Sequence, residues 1–190
     1  MKENEVLRVI RTRRSVTRFT EAPVSDEQLE TILEAGRWAP SYINSQPWEF
    51  IVVRDPGMRA RLAEVLKRVT LAWHGFAQAP VLVAVAVDPT RDPSHSVEDG
   101  AAAVQNMALA AHSLGLASFW AGLHAAVGGK GSVVEEIRGL LDLPKHMSLV
   151  AMLPIGAAGY EAKADRRPLA ESVHAEKYGR ALYDRKRTGV

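Results

Sequence analysis

Apolar positions recur along this chain with two periods, one helical and one extended. Leu29, Ile32, Leu33 and Gly36 fall three and four residues apart, the spacing of one helix face. Ser25 precedes them with Gln28 three residues on, and Val24 and Leu29 flank the start, a capping box inside a hydrophobic staple. This helix is expected to run to about Trp38 and stop at Pro40. A shorter one is expected over residues 3–12, with Val6, Leu7 and Ile10 on one side and Arg8 and Arg11 opposite. Asp55-Pro56 opens another, proline at its first position, with Leu62, Val65, Leu66 and Val69 as its apolar set. Ser96, with Asp99 three residues later, predicts the cap of a long helix through Val104, Ala108, Ala111 and Leu114, ended by Gly115. Alanines make that helix apolar nearly all round, so it is expected to be buried and pressed against a partner helix. Ser132, with Glu135, predicts a last helix through Ile137, Leu140 and Leu141, closed by Pro144.

The strands are shorter. Residues 49–53 make one; residues 81–87 are apolar on both faces, as a central strand covered on both sides must be. Residues 117–122 form a short strand turning at Gly122, and residues 147–153 another, ending at Pro154-Ile155-Gly156. Trp73-His74-Gly75-Phe76 reads as a mobile aromatic loop. Gly128-Gly129-Lys130-Gly131 reads as a plain loop, because no strand leads into it at the spacing of a phosphate loop. Four strands alternating with about five helices predict a mixed sheet with helices on both faces. The length suits one domain, 1–190, whose polar stretch 160–190 is a C-terminal extension wrapping the body or a partner subunit.

Composition narrows the chemistry. With 47% hydrophobic and 24% charged residues the chain is globular rather than disordered. It has no cysteine, which removes disulfides, thiolate catalysis and Cys-ligated metals together and suits a reducing cytoplasm, the expected location. The first residues lack the apolar core of a signal peptide, and no apolar run reaches membrane-spanning length. A net charge of +2 recruits neither nucleic acid nor membrane, but Arg8, Arg11, Arg13, Arg14 and Arg18 are locally dense, which points to a local anion. His74, His95, His112, His124, His146 and His174 are scattered, so no metal site is expected. No GxSxG elbow, GxGxxG turn or Walker A loop is present.

Three stretches carry candidate chemistry. Arg13-Arg14-Ser15 offers guanidinium forks and a hydroxyl suited to a phosphate, and Arg166 and Arg167 supply a second cationic pair. Residues 39–48 hold two prolines that push Ala39 and Gln46 toward extended backbone, many small polar groups, and a closing Trp48. Such a loop suits a planar ligand with polar edges. A phosphate on arginines and a ring in this loop fit flavin mononucleotide better than a nicotinamide bound in the Rossmann manner.

Taken in order, Arg13-Arg14-Ser15 followed by Phe19, then Ala39-Pro40-Ser41, Asn44 and Gln46-Pro47-Trp48, then Gly100-Ala101-Ala102-Ala103 with Gln105-Asn106, then Arg166, Pro168 and Leu169, resemble the FMN-dependent nitroreductase family over nearly the whole chain. The resemblance implies an α+β, nitroreductase-like fold: a central mixed sheet flanked by helices, in an intertwined homodimer with two FMN sites between subunits. It implies that Arg13, Arg14 and Ser15 hold the phosphate and ribityl chain, joined by Arg166 rather than Arg167. Pro40, Ser41, Tyr42 and Asn44 would line the ring from the other subunit, with Gln46 in the same cofactor-binding set, and Trp120, Ala121 and Gly122 would lie near flavin N5. Thr17 belongs to the cofactor set as a departure. The family often carries Lys or Arg there, beside the flavin N1–O2 edge, and its loss would lower the flavin's reduction potential unless Arg18 or Arg13 supplies the cation. The tail also lacks the usual Trp soon after Val173-His174.

The activity so implied is an FMN-dependent NAD(P)H oxidoreductase working by ping-pong kinetics. NADH or NADPH is the reductant and a nitroaromatic, quinone or similar conjugated small molecule the acceptor, with no side-chain catalyst. Tyr42, Trp73, Phe76 and His124 are candidates to line the substrate pocket. The alternatives are an ene-, dehalogenase- or azoline-type oxidoreductase, or a flavin-binding protein without turnover. A basic-arm nucleic-acid binder ranks below these.

Overall fold

Asn4 accepts the N–H of Leu7 and starts α1 (Glu5–Thr12), the first element of a computed structural model that describes residues 3–123 and 132–182. In α2 (Asp26–Arg37) the capping box closes both ways: Ser25 accepts from the Gln28 N–H, and Gln28 accepts from the Ser25 N–H. Val24 and Leu29 are both buried, as a staple requires. β1 (Trp48–Val53) leads to α3 (Pro56–Leu66), capped by Asp55 with Pro56 at its first position. Then come α4 (His74–Gln78), β2 (Val81–Val87) and α5 (Ser96–Ser113). The two-residue strands β3 (Ala117–Ser118) and β4 (Ala121–Gly122) precede α6 (Val133–Leu140) and β5 (Ser148–Gly156).

The sheet runs β1-β2-β5-β3, with β4 also on β5, and every strand pair is antiparallel. Among the described residues, parallel pairing is confined to one bridge, Ser15 to Ser118. The α+β class is as expected. β2 is buried along its whole length, with helices on both faces. One face packs Leu62, Leu66, Phe76 and Ile137 from α3, α4 and α6; the other packs Ile32, Val104 and Met107 from α2 and α5. Each such large side chain contributes about 1.5–3 kcal/mol of burial.

Three local expectations change. β5 continues through Pro154 rather than stopping at it, because β3 pairs with residues 155–156 and β4 with 151–152. Pro154 therefore sits opposite the break between those strands, where its missing N–H costs no ladder bond. The aromatic stretch 73–76 is not a mobile loop: His74 begins α4, and Phe76 is fully buried with its ring edge-on to Phe119 at 5.0 Å. Ser96 is not a cap; His95 holds that position, and Asp92 accepts the N–H groups of Ser94 and His95. The glycine-rich stretch 128–131 lies outside the described residues.

α5 buries only one side. Gly100, Ala103, Val104, Met107, Ala108 and Ala111 face the core, while Ala101, Ala102, Leu109 and Ala110 stay partly exposed. Residues 161–182 are largely exposed, with a 3-10 turn at Leu169–Glu171 and a bridge from His174 to Ala181.

Candidate functional site

α1 delivers Arg13 at its C-cap, and residues 13–20 then run as a strap along the sheet margin. Val16 N–H donates to Ser118 O at 3.1 Å, Gly159 N–H to Arg18 O at 2.8 Å, and Thr20 N–H to Ala157 O at 3.0 Å. Val16 and Phe19 point into the core, which fixes the register of the residues between and before them. Ser15 stays exposed at its bridge to Ser118.

Beside the strap is a cavity of about 300 Å³, lined by Arg13, Arg14, His112, Ser118 and Tyr160 among others. Arg166 arrives from the tail, 153 positions after Arg13 in the sequence, near enough for its charge to act on it. Burial lowers the pKa of the Arg13 guanidinium, and the charges of Arg166 and Arg14 lower it further. Arg14 donates to the carbonyls of Arg11 and Arg13, and Arg166 to that of Asp165. Among the described residues none of the three pairs with a carboxylate. Like charges crowded without a counterion are what a bound dianion would relieve, so these residues fit a phosphate.

Thr17 meets Tyr160, not a free edge of the cavity. Its N–H and Oγ1 each lie 3.3 Å from the Tyr160 hydroxyl. Those two hydrogen bonds lower the phenol's pKa; burial opposes them, and the charge of Arg18 adds to them. The Arg18 guanidinium lies over the Tyr160 ring, 4.9 Å from its centroid. The cation next to Thr17 is thus packed on an aromatic face.

The loop 39–47 is coiled rather than extended. Tyr42–Asn44 form a 3-10 turn, and Ile43, Asn44 and Gln46 take φ of 44°, 60° and 48°. For a β-branched residue such as Ile43 this is an outlier, and each such residue costs on the order of 1–3 kcal/mol. Gln46 departs from the extended backbone expected before proline. Its N–H is taken by Ser41 Oγ at 3.0 Å and its carbonyl by Arg91 at 3.1 Å, and these bonds override the local preference. Asp99, in the first turn of α5, accepts the Tyr42 N–H at 3.1 and 3.3 Å and the Ser45 hydroxyl at 3.3 Å. The Tyr42 ring stacks on His95 with centroids 4.3 Å apart. Pro40, Tyr42, Asn44 and Gln46 remain exposed and Ser41 half-buried.

Trp120 lies between β3 and β4 and is 41% exposed; Ala121 and Gly122 pair with Met152 and Ala151. Trp73 is half-buried under Lys67, and Phe76 is core, so Phe76 lines no pocket. His124 lies outside the described residues. The arginine cluster assembles within one chain, but the loop does not join it. The loop grips α5 at Asp99 and the cavity sits at His112, thirteen residues on, about 20 Å at 1.5 Å per residue. Asp99, His112 and Tyr160 are the site residues that sequence reasoning missed. Asp99 carries a signal, its place beside a helix start, but the local pattern pairs it with Ser96, whereas its partners are Tyr42 and Ser45.

A sequence model described as the nitroreductase family matches residues 10–72 and 64–157. An Archaeoglobus fulgidus protein, provisionally named NADH dehydrogenase/NAD(P)H nitroreductase, is 34% identical over 184 residues, covering 92% of this chain and 99% of its own. The FMN reductase [NAD(P)H] of Bacillus subtilis is 31% identical over 92% of this chain and 75% of its own. Among solved structures, an FMN-dependent nitroreductase from Clostridium difficile superposes with a TM-score of 0.82 at 26% identity, covering 90% of this chain and 98% of that one.

Proposed function

We propose that this chain, which belongs to the nitroreductase family, is an FMN-dependent NAD(P)H oxidoreductase acting on a nitroaromatic, quinone or similar conjugated acceptor. The observation that carries the reading is that Arg13 and Arg14 line one cavity, with Arg166 near enough for its charge to act on Arg13, and that no carboxylate pairs with any of the three among the described residues. Arg13, Arg14, Ser15 and Arg166 would hold the phosphate. Trp120, Ala121 and Gly122, which follow the cavity-lining Ser118 in the chain, would face the ring from one side, and Thr17 would bear on it through the Tyr160 hydroxyl that it meets. Bound there, FMN supplies the two-electron redox chemistry, accepting reducing equivalents from NADH or NADPH and releasing them to the acceptor.

The chain's own part is positioning. Pro40, Ser41, Tyr42, Asn44 and Gln46 would present their polar groups to the ring from a second copy of the chain. Three features support that arrangement. The loop and the arginines lie at opposite ends of α5, so an antiparallel pairing of two α5 helices would bring the loop of each copy to the arginines of the other. An apolar groove of about 360 Å³ beside α5, lined by Val6, Val9, Ile10, Leu109 and Ala110, leaves Val6 66% and Ile10 49% exposed. The tail leaves Leu169 59% exposed, an apolar side chain that a partner would cover.

One open site serving donor and acceptor in turn predicts ping-pong kinetics. Among the described residues no helix is long and apolar enough to cross a membrane, and the cysteine-free chain suits the cytoplasm, where we place it. The test is steady-state kinetics with NADH or NADPH varied against a quinone and a nitroaromatic. Parallel double-reciprocal lines are expected. A flavin-loaded protein that neither pyridine nucleotide reduces would replace this reading with a binding protein.

A further inference from the structure

His112 lines the same cavity as Arg13 and Arg14, at the last turn of α5. Its Nε2 lies 2.8 Å from Thr12 Oγ1, and the Thr12 hydroxyl also lies 2.7 Å from the Arg8 carbonyl. A hydroxyl has one proton and a carbonyl can only accept, so that proton goes to Arg8 O. Thr12 Oγ1 must then accept from His112, which fixes the neutral imidazole with its hydrogen on Nε2. Nδ1 is left as the basic nitrogen, with no hydrogen-bond partner among the described residues.

The surroundings of this ring are almost all cationic. Arg8 and Thr12 face it from α1, Arg13 and Arg14 from the strap, and Arg166 stands beside Arg13. From the chain beyond β5, Tyr160 and Glu161 line the same cavity. Burial lowers the imidazole pKa first, and the charges of Arg13, Arg8 and Arg14 lower it further. The helix C-terminus favours a cation at this position, but burial and the arginines together outweigh it. A dianion seated among the arginines would reverse the balance.

We propose that His112 is a proton-linked member of the phosphate site: as the phosphate of FMN binds beside Arg13 and Arg14, Nδ1 takes up one proton from solvent and the imidazolium becomes a further cation of the clamp. The proposal rests on the FMN reading above. It makes flavin retention stronger as pH falls toward the ordinary histidine range. The second ionisation of the phosphate itself, near pH 6, works the other way, since the dianion is lost on acidification. Comparison with a variant that cannot titrate removes that contribution.

The experiment measures the FMN dissociation constant of the full-length loaded protein, by fluorescence recovery on dilution, from about pH 5.5 to 8.5. His112→Gln keeps an N–H for Thr12 but carries no charge. The ratio of its dissociation constant to that of the wild type should be near one at the alkaline end. It should rise as pH falls, approaching tenfold per pH unit where a whole proton is taken up. Riboflavin, which lacks the phosphate, should give no such divergence. The nitrogen-15 signals of His112 in the wild type give a second readout that needs no variant: Nδ1 should be protonated with FMN bound and unprotonated with riboflavin. Parallel profiles for wild type and His112→Gln, or an Nδ1 that stays unprotonated with FMN bound, would overturn the assignment of His112 alone. A wild type that retains no flavin at any pH would overturn the FMN reading and this proposal with it.

Discussion

At the scale of single residues, the site is a contest between like charges and the anion they await. Arg13 is half-buried, and the charges of Arg166 and Arg14 both act on it. Replacing Arg13 or Arg166 by alanine should each weaken FMN retention by about 1.5–3 kcal/mol, roughly ten- to a hundredfold, the worth of a charge-assisted hydrogen bond. Dilution of the purified variants with fluorescence detection of released flavin measures this, and full occupancy in both would refute the phosphate assignment. Asp92 carries a different prediction. Burial raises the pKa of its carboxyl, but the N–H groups of Ser94 and His95 and the charge of His95 lower it more, so the net is below the ordinary 3.8. A depressed carboxylate adds stability that is complete above the unfolded value and is lost as pH falls through the folded one. The stability gap between wild type and Asp92→Asn should therefore hold steady at neutral pH and shrink below pH 3.8. Urea melts at stepped pH would expose the contrary, a gap that widens in acid.

At the scale of elements, the strap and the loop are both positioned by close contacts that their own sequences do not announce. Gly75 in α4 lets that helix press on the strap: a Cβ there would lie 2.6 Å from Thr17 O and 2.7 Å from the Phe119 ring. Gly75→Ala should cost about 1–3 kcal/mol and loosen flavin binding as well, because the displaced atom belongs to the strap itself. A melt that is unchanged would show that the strap can yield. Asp99→Ala should cost a similar 1–3 kcal/mol by stranding the Tyr42 N–H and the Ser45 hydroxyl, and should speed amide exchange in residues 41–46 first. The helices with clear caps, such as the one opened by Ser25, were legible in the sequence because capping is local chemistry. So was β2, because a run apolar on both faces has one stable place in a sheet. The path of β5 through Pro154, the helix at His74 and the coiled loop were not. Each depends on a contact made across the fold: a break in the facing strand, a core that takes Phe76, and a carboxylate on α5.

At the scale of the whole molecule, the ordered motifs identified the family, while the meeting of Arg13 with Arg166 needed coordinates, since nothing local links a helix end to a distant tail. His112 and Tyr160 were hidden for the same reason. The account predicts a dimer whose two sites each draw on both copies. Sedimentation should give twice the 20.7 kDa chain mass. Mixing Arg13→Ala chains with chains altered at Ser41 should restore flavin to one site per mixed dimer. If the crowded guanidiniums hold a flavin, a pyridine nucleotide should reduce it. The visible spectrum of the purified protein, followed during anaerobic titration with NADH and then NADPH, tests it most directly. The account predicts a yellow protein whose flavin absorbance bleaches with one equivalent of reductant per site. A colourless protein that takes up no FMN, or a yellow one whose spectrum neither nucleotide alters, would contradict it.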